Sequence, residues 1–150
     1  MPQHLPSVKT ASELCQQYCD LFSNLTPETL DQFKAIVSDD IHFKDPFNDV
    51  RDFGKMRQIL AEMFEHTEGP AFTVYEQNVF DDHAWLRWKF NAKLPVIGWL
   101  SVDGASRISF DITQEKVIEH IDYWDSAPIY MRLPLIGVLL RQIHKRMSAK

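Results

Sequence analysis

At Ala71 the hydrophobic period of this chain changes from about 3.6 residues to two, and that change limits the folds open to it. Up to Phe64 apolar residues recur on helical stripes; from Ala71 to Asp125 they alternate. Leu14, Tyr18, Leu21, Phe22 and Leu25 share one helix face. Thr26-Pro27-Glu28 then marks a second helix start: a capping hydroxyl, a proline in the first turn and an acid near the positive dipole end. Leu30, Phe33 and Val37 line that second helix. After Gly54, Met56, Ile59, Leu60, Met63 and Phe64 give a third, closed by Gly69-Pro70.

A short strand carrying Ile41 and Phe43 separates the second helix from the third. The alternating part divides into strands over Phe72 to Phe80, about Ala84 to Phe90, Trp99 to Ile112 and Lys116 to Asp125, with Asp81-Asp82 as one turn. Asp103-Gly104 suits either a bulge or a hairpin turn. Helices first, then strands joined by short turns, predict an α+β domain with helices on one face of a curved antiparallel sheet. Residues 1–150 read as one domain, with a core over 11–125, a helical tail over 126–150 and a loose arm over 1–8. No internal repeat, low-complexity tract or linker divides it.

The net charge of −5 argues against nucleic acid as a partner. That charge is uneven. From Pro128 onward there are five basic residues (Arg132, Arg141, Lys145, Arg146, Lys150) and no acid, so the tail carries +5 and the remaining chain −10. Ile136, Leu139, Leu140, Ile143 and Met147 form an apolar stripe there, and Tyr130, Leu133, Leu135, Ile136, Leu139 and Leu140 are expected to close the mouth of the fold or cover a sheet. A helix lying on a membrane surface ranks below those readings. No signal-peptide pattern opens the chain, and Leu133 to Leu140 is too short to span a bilayer. Cys15 and Cys19, four apart on one helix, read as free thiols in a reducing compartment, so the expected location is cytoplasmic.

Two segments break their own alternation. In HFKDPFNDV, Ile41 and Phe43 face inward, and the next inward position holds Asp45, followed by Pro46. Asp before Pro reads first as a turn element, second as an acid aimed at something other than solid core. In VIEHIDYWD, one face shows Ile118, His120, Asp122 and Trp124. Imidazole, carboxylate and indole together suit an apolar pocket with a few placed polar groups, or a strand paired through Arg107 or Arg87. The histidines make no HxxxH pair and the cysteines no CxxC, so no metal site is expected. Nor is there a glycine-rich phosphate loop or a GxSxG elbow, and no cofactor is implied. What remains is acid–base chemistry by carboxylates, or simple binding.

The order of helices and strands, SDDIHFKDPFNDV and the terminal IEHIDYWD resemble the nuclear transport factor 2-like superfamily. Within it the chain is most similar to the SnoaL-like group, which includes ketosteroid isomerase, polyketide cyclases and limonene epoxide hydrolase. The resemblance covers roughly residues 11 to 125. It implies a cone-shaped α+β barrel, three N-terminal helices wrapped by a strongly curved sheet, an apolar cavity and a homodimer through the sheet. It places Asp45 at the isomerases' base and Tyr18 at their oxyanion tyrosine, with Ser106 where they carry a second, acidic donor. Asp122, in DYWD, matches one acid of the epoxide hydrolase set. The arginine and second aspartate of that set are missing from AWLRWKF, where Arg87 is one position out of register.

The resemblance thus implies catalytic roles for Asp45, Asp122 and Tyr18, with Ser106, His120, Trp124, Trp88 and Phe43 around the substrate. The expected function is proton transfer on a small apolar carbonyl compound, by cyclisation or isomerisation. The alternatives are a non-catalytic ligand-binding module, or an interaction protein that uses the sheet face and the basic tail.

Overall fold

A computed structural model describes residues 9–149; the arm read over 1–8 and the terminal lysine lie outside that range. The elements run α1 (Ala11–Ser23), a 3-10 helix (Pro27–Ala35), β1 (Val37–Lys44), β2 (Asp49–Val50), α2 (Phe53–His66), β3 (Glu68–Val79), β4 (His83–Leu94), β5 (Gly98–Asp111), β6 (Lys116–Tyr123), α3 (Ala127–Met131) and α4 (Ile136–Met147). One six-stranded sheet has the order β2-β1-β6-β5-β4-β3. All neighbours are antiparallel except β1 with β6.

The α+β expectation holds: α1, the 3-10 helix and α2 pack on one face of an open, curved sheet. Thr10 caps α1 by accepting the Glu13 amide, and Asp52 caps α2 by accepting that of Lys55. The second helix is 3-10 rather than α. Its buried residues Leu30 and Phe33, and the buried Ile36 that caps it, come at a spacing of three, the period at which side chains eclipse in 3-10 geometry. Val37, read from sequence as part of that helix face, instead begins β1 and is buried there.

Gly69-Pro70 does not end the third helix; α2 stops at His66 and both residues lie in β3. Because β3 is an edge strand, the missing proline N–H breaks no inner ladder. Asp103-Gly104 is neither bulge nor turn. β5 runs straight through it in register with β4, and Gly104 pairs with Trp88. The glycine is there because the Trp88 indole lies flat against its Cα: an added Cβ would overlap the Cη2 edge of that ring.

Register shifts occur between β1 and β6 and between β3 and β4, and the one that bears on the site lies where β6 meets β5. Ser109 pairs with Glu119 and Phe110 with Val117, which leaves Ile118 as an extra residue. The bulge reverses the alternation. Val117 and His120 both turn inward, whereas Ile118 is exposed. That explains the mixed faces of VIEHIDYWD: the strand changes parity partway along.

Candidate functional site

Between the helices and the inner sheet face lies a cavity of about 310 Å³. Its walls include Phe22 from α1, Phe43 from β1, Leu60 from α2, Phe72 from β3, Trp88 and Phe90 from β4, and Leu100 and Val102 from β5. Asp45, Asn48, Thr67, Ser106, His120 and Asp122 supply the polar atoms.

Register brings the polar groups together. On β5 and β6, Ser106 stands opposite Asp122 and Ile108 opposite His120. With Trp88 stacked over Gly104, the indole N–H reaches the next inward residue, and Trp88 Nε1 donates to Ser106 Oγ at 2.7 Å. Ser106 Oγ donates in turn to Asp122 Oδ1. From the other side His120 Nε2 meets the same Oδ1 at 2.6 Å, and Tyr18 Oη meets His120 Nδ1 at 2.6 Å. A carboxylate can only accept, which puts a proton on His120 Nε2; in the neutral imidazole Nδ1 is then the acceptor and Tyr18 donates to it. Two donor chains, Trp88–Ser106 and Tyr18–His120, therefore converge on one oxygen.

Among the described residues Oδ2 of Asp122 accepts no hydrogen bond, and no buried side-chain nitrogen or oxygen lacks a partner. His120 is gripped by aromatic rings, with centroids 4.9 Å from Phe43, 5.5 Å from Phe22 and 5.6 Å from Tyr18. Burial, with the Asp122 charge behind it, holds the Tyr18 hydroxyl well above the usual tyrosine range, so it stays a neutral donor.

Tyr18→Phe leaves His120 Nδ1 buried without a donor and is expected to cost about 1–3 kcal/mol of stability. The sign with pH follows from the raised value. Below about pH 10 both folded and unfolded Tyr18 are protonated and the full contribution is present. Above it the unfolded chain ionises first, so wild-type stability falls and the gap to the Phe variant narrows. Urea melts of both proteins on either side of that pH measure it.

Asp45 occupies a different place on the cavity wall. Its Oδ1 accepts the backbone N–H groups of Phe47 and Asn48, each at 2.7 Å, and Asn48 Nδ2 reaches both carboxylate oxygens at 3.1 and 3.2 Å. The carboxylate closes the turn from β1 to β2. Phe47, at the tip of that turn, meets Trp124 at 5.6 Å and Tyr130 at 6.2 Å.

The sequence profile of the SnoaL-like domain family matches residues 16–120. The chain belongs to that family. No curated protein matches the sequence. Among solved structures, a putative SnoaL-like polyketide cyclase from Jannaschia sp. has a TM-score of 0.71 at 12% identity, covering 90% of this chain and 99% of that one. An NTF2-like protein from Burkholderia thailandensis has a TM-score of 0.70 at 12% identity, covering 81% and 95%. A protein with a ketosteroid isomerase-like fold from Catenulispora acidiphila, in complex with trimethylamine, has a TM-score of 0.67 at 12% identity, covering 82% and 93%. At such identities these likenesses establish the fold.

Of the candidates read from sequence, this SnoaL-like fold joins Tyr18, Trp88, Ser106, His120 and Asp122 in one chain of hydrogen bonds. Phe43, Trp124 and Asp45 line the same cavity outside that chain. Arg87 lies on the outer sheet face, its guanidinium 5.7 Å from the Tyr75 ring centre. Asn48 went unread, although its place three residues after Asp45 is a turn signal in itself.

Proposed function

We propose that this SnoaL-like protein catalyses proton transfer on a small apolar carbonyl compound, leading to cyclisation or isomerisation, with Asp122 as the acid–base group. The observation that carries the reading is the convergence of two donor chains on Oδ1, which fixes the carboxylate while Oδ2 is left for a substrate. Asp122 would take a proton from the carbon beside a carbonyl, giving an enolate and a neutral carboxylic acid. The enolate carbon then bonds to a second carbonyl carbon, whose oxygen takes the proton back; in an isomerisation the proton returns to a different carbon. Apolar walls exclude water from the enolate. A volume of about 310 Å³ stands at the small end of ligand pockets, roughly 300–1,000 Å³, and favours a compact substrate.

The test needs no prior substrate. Small apolar ketones and β-keto esters are incubated with the protein in D2O, and exchange of their α-protons is followed by NMR. Faster exchange with wild-type protein supports the reading. If compounds shift the melting temperature yet none exchanges above the solvent rate, the protein is a binding module and the catalytic reading fails.

A homodimer through the sheet would use its outer face, where exposed Trp85 and Tyr123 lie 5.9 Å apart. Sedimentation showing only the 17.5 kDa monomer at micromolar concentration would remove it.

A further inference from the structure

Against the expectation of no internal repeat, two segments, LPVIGWL from Leu94 and LPLIGVL from Leu133, are nearly the same heptapeptide, each preceded by a basic residue. In both copies the third residue takes a left-handed backbone, with φ 67° at Val96 and 65° at Leu135. In both, the following isoleucine amide bonds to the proline carbonyl, Ile97 to Pro95 at 2.7 Å and Ile136 to Pro134 at 2.8 Å. These are tight γ-turns of the strained hand. A β-branched valine and a leucine are poor residues for that backbone, yet their side chains are 80% and 86% exposed. Neither the turn nor the core accounts for apolar residues there.

The copies sit side by side. Arg132, at the end of α3, donates from Nη2 to the carbonyls of Ile97 and Trp99, both at 2.9 Å. Gly137 lets α4 approach α3 closely, since an added Cβ would lie 2.5 Å from the Met131 carbonyl oxygen. That packing uses the Gly137 side of α4. The stripe of Ile136, Leu139, Ile143 and Met147 remains exposed, with Arg146 at its flank and Lys145 on the opposite, polar side of the helix. Of the tail residues expected to close the mouth of the fold or cover a sheet, Leu135, Ile136 and Leu139 are exposed instead, and Tyr130 meets Phe47 of the β1–β2 turn at 6.2 Å.

We infer that the two LPxIGxL turns and α4 form a docking surface for an anionic lipid bilayer. Apolar tips beside an amphipathic helix with lysine and arginine on its polar side are the features of an interfacial anchor. Trp99, exposed in the first copy, is a residue type favoured at that depth. No helix among the described residues is long and apolar enough to cross a membrane, so the contact is peripheral. The charge −10 on the remaining chain does not forbid it, because fields of exposed charges decay within about 8–10 Å at physiological salt. A second copy of the chain is the weaker occupant. The outer sheet face mixes Arg87, Lys89 and Arg107 with Glu76, Asp103 and Glu119, so it offers the basic helix no acidic patch.

Ile129 of α3 lines the cavity, so docking would bring the cavity wall to the lipid and make a membrane-dissolved compound the substrate class. That step rests on the proposed function; vesicle binding is read without turnover, so either can fail alone. The experiment is co-sedimentation of the full chain with phosphatidylcholine vesicles, with and without about one third phosphatidylglycerol. Wild-type protein should pellet with the anionic vesicles and far less with the neutral ones. Arg146→Gln should weaken partitioning about fivefold, and Lys145→Gln less, because Lys145 lies on the helix side away from the lipid. Val96→Asp with Leu135→Asp, both in exposed turns, should abolish it while circular dichroism stays unchanged. Failure of wild type to pellet overturns the inference, as does equal pelleting by the aspartate variant. Self-association that the aspartate variant disperses, without vesicle binding, would assign the patch to a second copy and also overturn it.

Discussion

Asp122→Asn should reduce α-proton exchange by about 10²–10⁴-fold, the usual contribution of a positioned acid–base group. The substitution keeps the side chain's shape. The amide oxygen of the variant still accepts from Ser106 and His120, so the two donor chains and the fold survive and only the proton acceptor is lost. Asp45→Asn is the control. Its carboxylate is held by Phe47, Asn48 and the β1–β2 turn, so exchange should stay within a few-fold of wild type while the turn loosens slightly. NMR of the three proteins with one ketone decides the matter. Loss of exchange in the Asp45 variant with retention in the Asp122 variant would move the base to the turn. Retention in both would end the carboxylate mechanism.

Gly104→Ala should be the most damaging small substitution in the sheet. The new methyl would overlap the Trp88 indole, far inside van der Waals contact, and the indole has no slack because its N–H is held by Ser106. Relief requires the ring to swing into the cavity and give up that hydrogen bond. The expected loss is about 3 kcal/mol, the upper end of overpacking costs. In a domain of this size it lowers the melting temperature by roughly 6–12 °C. Adding Trp88→Phe to Gly104→Ala should restore part of the loss, since the smaller ring leaves room; strictly additive losses in the double variant would show that the clash is not the cause.

Much of this architecture was legible in the letters alone. The alternation of Ala84, Leu86, Trp88 and Phe90 against Trp85, Arg87 and Lys89 assigns the two faces of β4 correctly. The stripe through Leu14, Tyr18 and Phe22 likewise places α1 against the sheet. Both are local patterns, written in residues a few positions apart. The mixed faces of β6 were visible as an anomaly, but their cause was not. A bulge is a mismatch in count between two strands, and one strand cannot show it. The LPxIGxL repeat was present in the letters throughout and became meaningful only when Arg132 brought the two turns together.

By itself the sequence determined the class of fold, the inward face of most strands and the residue types available for chemistry, because burial periodicity is set by backbone geometry within each element. Only the tertiary structure decided what those residues do to one another. Tyr18 and His120 stand 102 positions apart, and their hydrogen bond depends on how α1 lies across β6. Asp45 and Asp122 looked equivalent as acids out of place. Packing separated them, since a turn closes around one carboxylate and, among the described residues, two donor chains leave an oxygen of the other unpartnered.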